Sequence, residues 1–277
     1  MTLQHSVVGT AMQMVVCTLT PGQVVYCEAG KFLFSSADVR METKLSQPTD
    51  PTQQPGQQQG QQQGQQQGLG GRLLRGAMEA GKRMAAGESF AFQHFQSAGG
   101  DGLIAFAGVL PGELRAIEVE PGRTWFAEKD AFVAAEGGVR FDIAFSGLRQ
   151  GLSGGEGFVL EKFTGAGTLF IAGAGNFVDI NPAEYGGKLL VDTGCVVAFD
   201  DRIRYGVQRV GRFDRAGMMN AVLGGEGFTL ATLEGDGQVI LQSMTIDALA
   251  KALQKNAGAG DRKTGAGLGG IFSGSTE

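Results

Sequence analysis

The amino-acid sequence predicts an all-β protein built from three diverged copies of one unit, with few short helices. Glycine accounts for 47 of the 277 residues, more than twice the usual share of roughly 7%, which suits many tight turns. Apolar runs of strand length lie between these turns. One four-residue motif also recurs at a nearly constant spacing, which is the signature of an internal repeat.

The repeat is anchored by a Gly-Glu-x-Phe motif. It occurs at residues 87–90, 155–158 and 225–228, so that its glutamates are 68 and 70 residues apart. A strand-like run, a Gly-x-Gly turn and a second apolar run follow each copy, which predicts a hairpin. We therefore expect unit 1 at residues 6–110, unit 2 at 111–180 and unit 3 at 181–244.

Two segments do not fit the repeat. Unit 1 contains an insertion at residues 47–71 with three successive Gln-Gln-Gln-Gly runs. Such a polar tract cannot bury enough apolar surface to offset its ordering entropy, so a disordered loop is predicted. Residues 245–277 are predicted to form a short helix near 246–255, followed by a glycine-rich tail.

Charge and composition narrow the functional classes. The formal net charge is −5, and this opposes binding to nucleic acid, which depends on Lys and Arg neutralising phosphates. The three cysteines have no Cys-x-x-Cys spacing, and we expect them to be small buried side chains. Residues 1–27 are interrupted by polar residues too often for a membrane span and lack a basic signal region, so a cytoplasmic protein is expected.

Several motifs in order resemble the AIM24 family, formerly a domain of unknown function. They are Pro21-Gly22 through Gly30, Met41 to Lys44, the three Gly-Glu motifs and Val191 to Gly194. The resemblance covers most of residues 6–244. It implies three short double-stranded β-helix units in a pseudo-threefold arrangement, similar to the fold of the tryptophan RNA-binding attenuation protein. It implies no settled activity, although a fungal relative is mitochondrial and linked to inner-membrane organisation.

The motif glutamates are candidates for a cation site, because threefold symmetry would bring three carboxylates together. The alternative is structural: each carboxylate accepts backbone hydrogen bonds at a glycine-rich corner. We favour this alternative, because His5 and His94 are the only histidines and a transition-metal or nucleophilic site needs such partners. No catalytic residue, metal or cofactor is predicted. The predicted structural corners are Gly87, Glu88, Gly155, Glu156, Gly225 and Glu226.

A basic amphipathic segment at residues 70–85 is the candidate contact surface. Its apolar residues lie at helical spacing, with basic residues opposite, as in helices that lie in a membrane interface. The alternative is that this face covers one end of the β core. A similar apolar slot precedes the motif in unit 3. The candidate partner or membrane face comprises Leu73, Leu74, Met78, Met84, Met218, Met219 and Leu223, with Arg72, Arg75, Lys82 and Arg83 at its rim.

These observations predict a non-catalytic structural or interaction protein. We expect a homo-oligomeric scaffold, with a peripheral membrane contact as a further expectation. The alternatives are an RNA-binding module, by analogy with the attenuation protein, and a small-molecule-binding β protein. An enzyme of cupin type would need several inward-facing histidines with a carboxylate, and two histidines on separate segments do not supply them.

Overall fold

The computed structural model describes residues 2–44, 47–48, 91–145, 159–209 and 229–264. Within these ranges nineteen β-strands, two short 3-10 turns and one α-helix form. The prediction of an all-β protein with little helix is confirmed.

The strands fall into three successive segments of the chain. The first contains β1 (Gln4–Val8), β2 (Met14–Leu19), β3 (Val24–Glu28), β4 (Phe32–Ser35), β5 (Val39–Lys44), β6 (Phe92–Ser97) and β7 (Gly102–Ala107). The second contains β8 (Leu114–Val119), β9 (Trp125–Glu128), β10 (Phe132–Glu136), β11 (Val139–Phe145), β12 (Val159–Gly165) and β13 (Gly167–Ala172). The third contains β14 (Phe177–Ile180), β15 (Lys188–Asp192), β16 (Val196–Asp200), β17 (Ile203–Arg209), β18 (Thr229–Gly235) and β19 (Val239–Gln242), and α1 (Ile246–Thr264) follows.

All pairs of these strands are antiparallel, and they form four sheets. The strand orders are β1-β2-β7-β4, β5-β6-β3-β10-β13-β8, β11-β12-β9-β16-β19-β14 and β15-β18-β17. Each segment contributes one three-strand block of the type β5-β6-β3 and one of the type β2-β7-β4. The two six-stranded sheets therefore each combine blocks from neighbouring segments.

The predicted hairpins at the Gly-x-Gly turns are wrong. The turn between β6 and β7 exists, but β6 pairs with β3 and β5, whereas β7 pairs with β2 and β4. The tight turn thus carries the chain from one sheet to another. Gly165 and Gly235 hold φ values of 101° and 134° at the corresponding corners, a backbone region that residues with a Cβ rarely adopt.

Apart from the short β1–β2 hairpin, the consecutive strands that pair are those joined by the longest connections. β5 pairs with β6, β11 with β12 and β17 with β18, in registers that begin at Val39–Ser97, Val139–Gly165 and Ile203–Gly235. The connections between these partners contain the insertion and all three Gly-Glu-x-Phe motifs. Each connection is therefore the loop of a hairpin. It links the two strands at the end opposite to the residue pairs just named.

Of the predicted insertion, residues 47 and 48 are described and residues 49–71 lie outside the described residues, so its disorder stays a prediction. The side chain of Gln47 donates to the Phe141 carbonyl at 2.7 Å and accepts from the Phe141 amide at 2.6 Å. An amide side chain can replace a strand in this way, because it carries both a donor and an acceptor. Gln47 thus provides hydrogen-bond partners for the backbone N–H and C=O of Phe141, on the outer edge of β11.

The C-terminal helix is longer than predicted. The sequence predicts its end near Lys255, whereas α1 continues to Thr264. Extending an existing helix costs less free energy than starting one, which favours continuation into the glycine-containing region despite its low propensity.

One hydrophobic core runs through several sheets and includes side chains from all three segments. Tyr26, Phe132 and Val197 are almost wholly buried in the same cluster. Ring contacts extend it, with Tyr26 5.5 Å from Phe92 and 5.8 Å from Phe132 between centroids. Strand β2 alternates between buried and half-buried residues. Its second face is covered only in part.

The cysteines provide a test of this packing. Cys17 and Cys27 are fully buried and Cys195 is half-buried. Burial, together with nearby acidic side chains, raises the pKa of Cys17 and of Cys27 to about 12. The thiolate is the reactive form. We expect iodoacetamide at pH 8 to label one thiol per native chain quickly, and three after unfolding, as counted by mass spectrometry.

The Cys195→Ser variant is the control for this experiment and should remove the fast label. Rapid labelling of two or three thiols in the native protein would contradict the described core.

Candidate functional site

The first junction between segments is the antiparallel pair β3–β10. Cys27 lies opposite Ala134, Tyr26 opposite Ala135 and Val25 opposite Glu136. The Gly137 amide extends the pair by donating to the Val24 carbonyl at 2.8 Å. Backbone hydrogen bonds therefore join the first and second segments into a six-stranded sheet.

Tyr26 ties this junction to the core. Its hydroxyl donates to the Val139 carbonyl at 3.0 Å, 113 residues further along the chain. Burial raises the pKa of Tyr26 well above its usual range, and the nearby Glu161 carboxylate raises it further. The phenol thus stays protonated and serves as a structural donor.

The second junction, β9–β16, has the same geometry. Ala127 lies opposite Ala198, Phe126 opposite Phe199 and Trp125 opposite Asp200. The Phe126 and Phe199 rings stack with centroids 5.3 Å apart. Large side chains thus cover the paired backbones here as well.

Charged groups close one end of the second junction. The Arg123 guanidinium donates to Asp201 through Nε at 3.0 Å and lies 3.3 Å from an oxygen of Asp200. The Asp201 carboxylate also accepts from the Thr124 amide at 2.9 Å. Partial burial acts to raise the pKa of Asp201, but the hydrogen bonds from Arg123 and Thr124 outweigh it and hold this pKa below its usual range. Asp200 is almost wholly buried and is also bound by Arg202.

Two strand edges that are equivalent to the paired ones remain open among the described residues. β4 corresponds to β10 and β16, and β15 corresponds to β3 and β9, yet both end their sheets. Leu33 is 49% exposed, Phe34 44% and Leu190 53%. These edges display large apolar side chains and have no neighbouring strand among the described residues.

A small cavity lies near the junctions. It has a volume of about 300 Å³, and residues of all three segments line it, among them Lys31, Asp130 and Val196. Lys31 is nearly buried, and its ammonium donates to the Asp130 carbonyl at 3.2 Å. This contact fastens the β3–β4 turn to the β9–β10 turn.

The described residues contain no cluster of three or more His, Cys, Asp or Glu side chains arranged to hold a metal ion. His5 lies in β1 against Phe170, and His94 lies in β6 near Tyr26. The two histidines therefore belong to separate parts of the described structure.

Every site residue predicted from the sequence falls outside the described residues. This holds for the apolar face at Leu73, Leu74, Met78, Met84, Met218, Met219 and Leu223, for its basic rim, and for the corners at Glu88, Glu156 and Glu226. They belong to the connections that leave the hairpin ends at Lys44–Phe92, Phe145–Val159 and Arg209–Thr229. Their gathering on one face stays a prediction.

Sequence reasoning missed the residues of the junctions and open edges. One signal was present: the run from Val25 to Phe34 matches the run from Trp125 to Ala134 and the run from Leu189 to Ala198. Small residues occupy two of the three positions at Phe34, Ala134 and Ala198, and the large one marks the open edge.

Comparisons with known proteins place this fold in a family. A family model described as "Mitochondrial biogenesis AIM24" matches residues 5–244, and the chain belongs to the AIM24 family. A crystal structure of protein SPYM3_0169 from Streptococcus pyogenes is similar, with a TM-score of 0.65 and 24% sequence identity over 92% of this chain and 99% of that chain. At this identity the likeness shows the fold. A search of curated proteins found no match.

No helix in the described part of the chain is long and apolar enough to cross a membrane.

The charged end of the second junction gives a stability prediction. Replacing Arg123 with Gln removes the donor to Asp201 and leaves the buried Asp200 with fewer partners. A hydrogen bond to a charged group contributes about 1.5–3 kcal/mol, and solvent screening of the partly exposed Arg123 reduces this. We expect Arg123→Gln to lower the free energy of unfolding by roughly 1–2 kcal/mol at pH 7, measured by urea titration.

The loss should depend on pH. The pKa of Asp201 is lower in the folded state than the unfolded value of about 3.9, so its stabilisation is fully present above that value. It disappears as the pH falls through the folded-state pKa, and the difference between wild type and variant should shrink there. Arg140→Gln, at an exposed position on β11, is the control and should change stability by less than about 0.5 kcal/mol. Equal losses in both variants would contradict the junction's role.

Proposed function

We propose that this AIM24-family chain is a non-catalytic structural protein that assembles with further copies into an oligomeric scaffold. One observation carries the proposal: among the described residues, β4 and β15 each end a sheet, and Phe34 and Leu190 are exposed there. An open edge bearing apolar side chains is a template for pairing with another chain.

Two other edge strands, β5 and β11, differ from β4. The outer strand β5 exposes Arg40, Glu42 and Lys44, and charged side chains on an edge oppose pairing with other chains. Gln47 caps part of β11. β4 carries no charged residue beside its exposed Leu33 and Phe34, and on β15 Leu190 is exposed between Lys188 and Asp192, whose opposite charges complement each other. The β4 edge in particular favours a function in association.

The three segments are proposed to be equivalent units. The same strand pairs recur in each, and the same junction joins the first to the second and the second to the third. The pseudo-threefold arrangement and the likeness to the tryptophan RNA-binding attenuation protein stay predictions. A closed threefold ring needs a third junction, between β15 and β4.

A peripheral membrane contact is part of the proposal. The family description refers to mitochondrial biogenesis, and the basic amphipathic segment at residues 70–85 is of the kind that binds membrane interfaces. RNA binding is the weaker alternative, because the net charge of −5 opposes it.

Sedimentation of the full chain tests the scaffold. We expect species heavier than the 28.9 kDa monomer whose share grows with protein concentration. Burying a leucine side chain contributes roughly 1.5–3 kcal/mol, so Leu190→Lys should weaken association by about tenfold or more. Its melting temperature should be unchanged, because the side chain is already exposed.

Leu253→Lys is the matched control, since Leu253 is an exposed leucine on α1, and it should leave association unchanged. Flotation with liposomes containing anionic lipids, with and without residues 70–85, tests the membrane contact. A chain that stays monomeric at high protein concentration and does not float with liposomes would refute the scaffold.

A further inference from the structure

We infer that the third junction forms between two copies of the chain: β15 of one copy adds to β4 of the next, in antiparallel register with Leu190 opposite Ser35. This inference rests on the proposed oligomeric function and specifies the surface and partner that it uses. Sheet extension of this kind derives its affinity from main-chain hydrogen bonds.

The first half of the register comes from the strands that pair with β7, β13 and β19. Phe34 lies opposite Ala105, Ala134 opposite Phe170, and Ala198 opposite Ile240, each one residue past a bulge. Phe34, Ala134 and Ala198 are therefore equivalent. The next residues, Ser35, Ala135 and Phe199, are equivalent as well.

The second half comes from the hairpin partners. The hairpins begin at Ser97 in β6, Gly165 in β12 and Gly235 in β18. Three positions earlier in the sequence, these strands contain His94, Lys162 and Thr232. These residues lie opposite Tyr26, Phe126 and Leu190. Leu190 is therefore the equivalent of Tyr26 and Phe126.

The two formed junctions then fix the third. Tyr26 lies opposite Ala135, and Phe126 opposite Phe199. The same geometry places Leu190 opposite Ser35 and Val191 opposite Phe34. A one-residue slip would reverse every side chain in the added strand, so this register is specific.

The side chains at the two edges fit this pairing. Tyr26 and Ala134 are fully buried at the first junction, whereas their equivalents Leu190 and Phe34 are 53% and 44% exposed. A second copy would cover both. At the end of the pair, Lys188 would lie opposite Ala37, in the position that Thr124 occupies beside Asp201 in the second junction. Its ammonium pairs with Glu234 of its own chain.

A partner copy is favoured over closure within one chain. In the described residues β4 and β15 belong to different sheets, and closure on each other would have buried Phe34 and Leu190. The contact joins β15 of one copy to β4 of the next, so each added copy leaves one of these strands available for a further copy. Such assemblies continue until they close into a ring or extend as a filament.

Disulfide trapping tests the register. All proteins carry Cys195→Ser to remove the half-buried thiol. One protein carries Ser35→Cys, and a second, with a different affinity tag, carries Leu190→Cys. Phe34→Cys with Val191→Cys forms a second pair, because neighbouring positions in an antiparallel ladder alternate between wide and close Cα spacing. One of the two pairs therefore has the close spacing.

We expect mild oxidation of mixed chains to give a disulfide between differently tagged copies in at least one pair. The off-register control, Ser35→Cys with Asp192→Cys, should give at least tenfold less. A chain carrying both Ser35→Cys and Leu190→Cys should form a ladder of dimers and larger species.

Three results would overturn the inference. A doubly substituted chain that yields only an internally linked monomer would show that β15 closes on β4 of its own chain. Oligomers in sedimentation without an in-register disulfide from either pair would place association on another surface and leave the scaffold standing. A monomer with no disulfide would refute the scaffold and the inference together.

Discussion

Backbone pairing between successive segments is the interaction on which the rest of the structure depends. Each segment alone has two blocks of three strands, about the smallest sheet that is stable in water, and such a sheet is stable only when its apolar face is covered. Pairs β3–β10 and β9–β16 join these blocks into six-stranded sheets. The joined sheets then cover one cluster that contains Tyr26, Phe132 and Val197. The core is therefore a consequence of the junctions.

The tight turns make this arrangement possible. At each one the chain leaves one sheet and enters another, so neighbours in sequence seldom share hydrogen bonds. A strand such as β10 is free to pair with a strand from the preceding segment, because its own turn partners lie elsewhere. The long connections return the chain to the sheet it left. The three connections differ in length, which is possible because each one starts and ends at a paired hairpin end.

Composition, glycine spacing and the recurring motif were enough to predict an all-β protein, the positions of the turns and the start of the C-terminal helix. They could not predict which strands pair, because a Gly-x-Gly turn between two apolar runs is equally compatible with a hairpin and with a crossing between sheets. An aspartate such as Asp200 is usually exposed to solvent. Its burial here is possible because Arg123 and Arg202 both form ion pairs with its carboxylate. The anchoring of Gln47 to Phe141 joins residues 94 positions apart, which no local pattern encodes.

The junctions of a chain with three segments differ in whether they form within one chain or between two copies. The first two are intramolecular, so their partners meet at a high effective concentration that does not change with the amount of protein. A third junction between copies forms only as the protein concentration approaches its dissociation constant. The core, which depends on the first two, would stay folded in the free chain. Assembly through β4 and β15 could then grow or shrink with protein level while each chain keeps its fold.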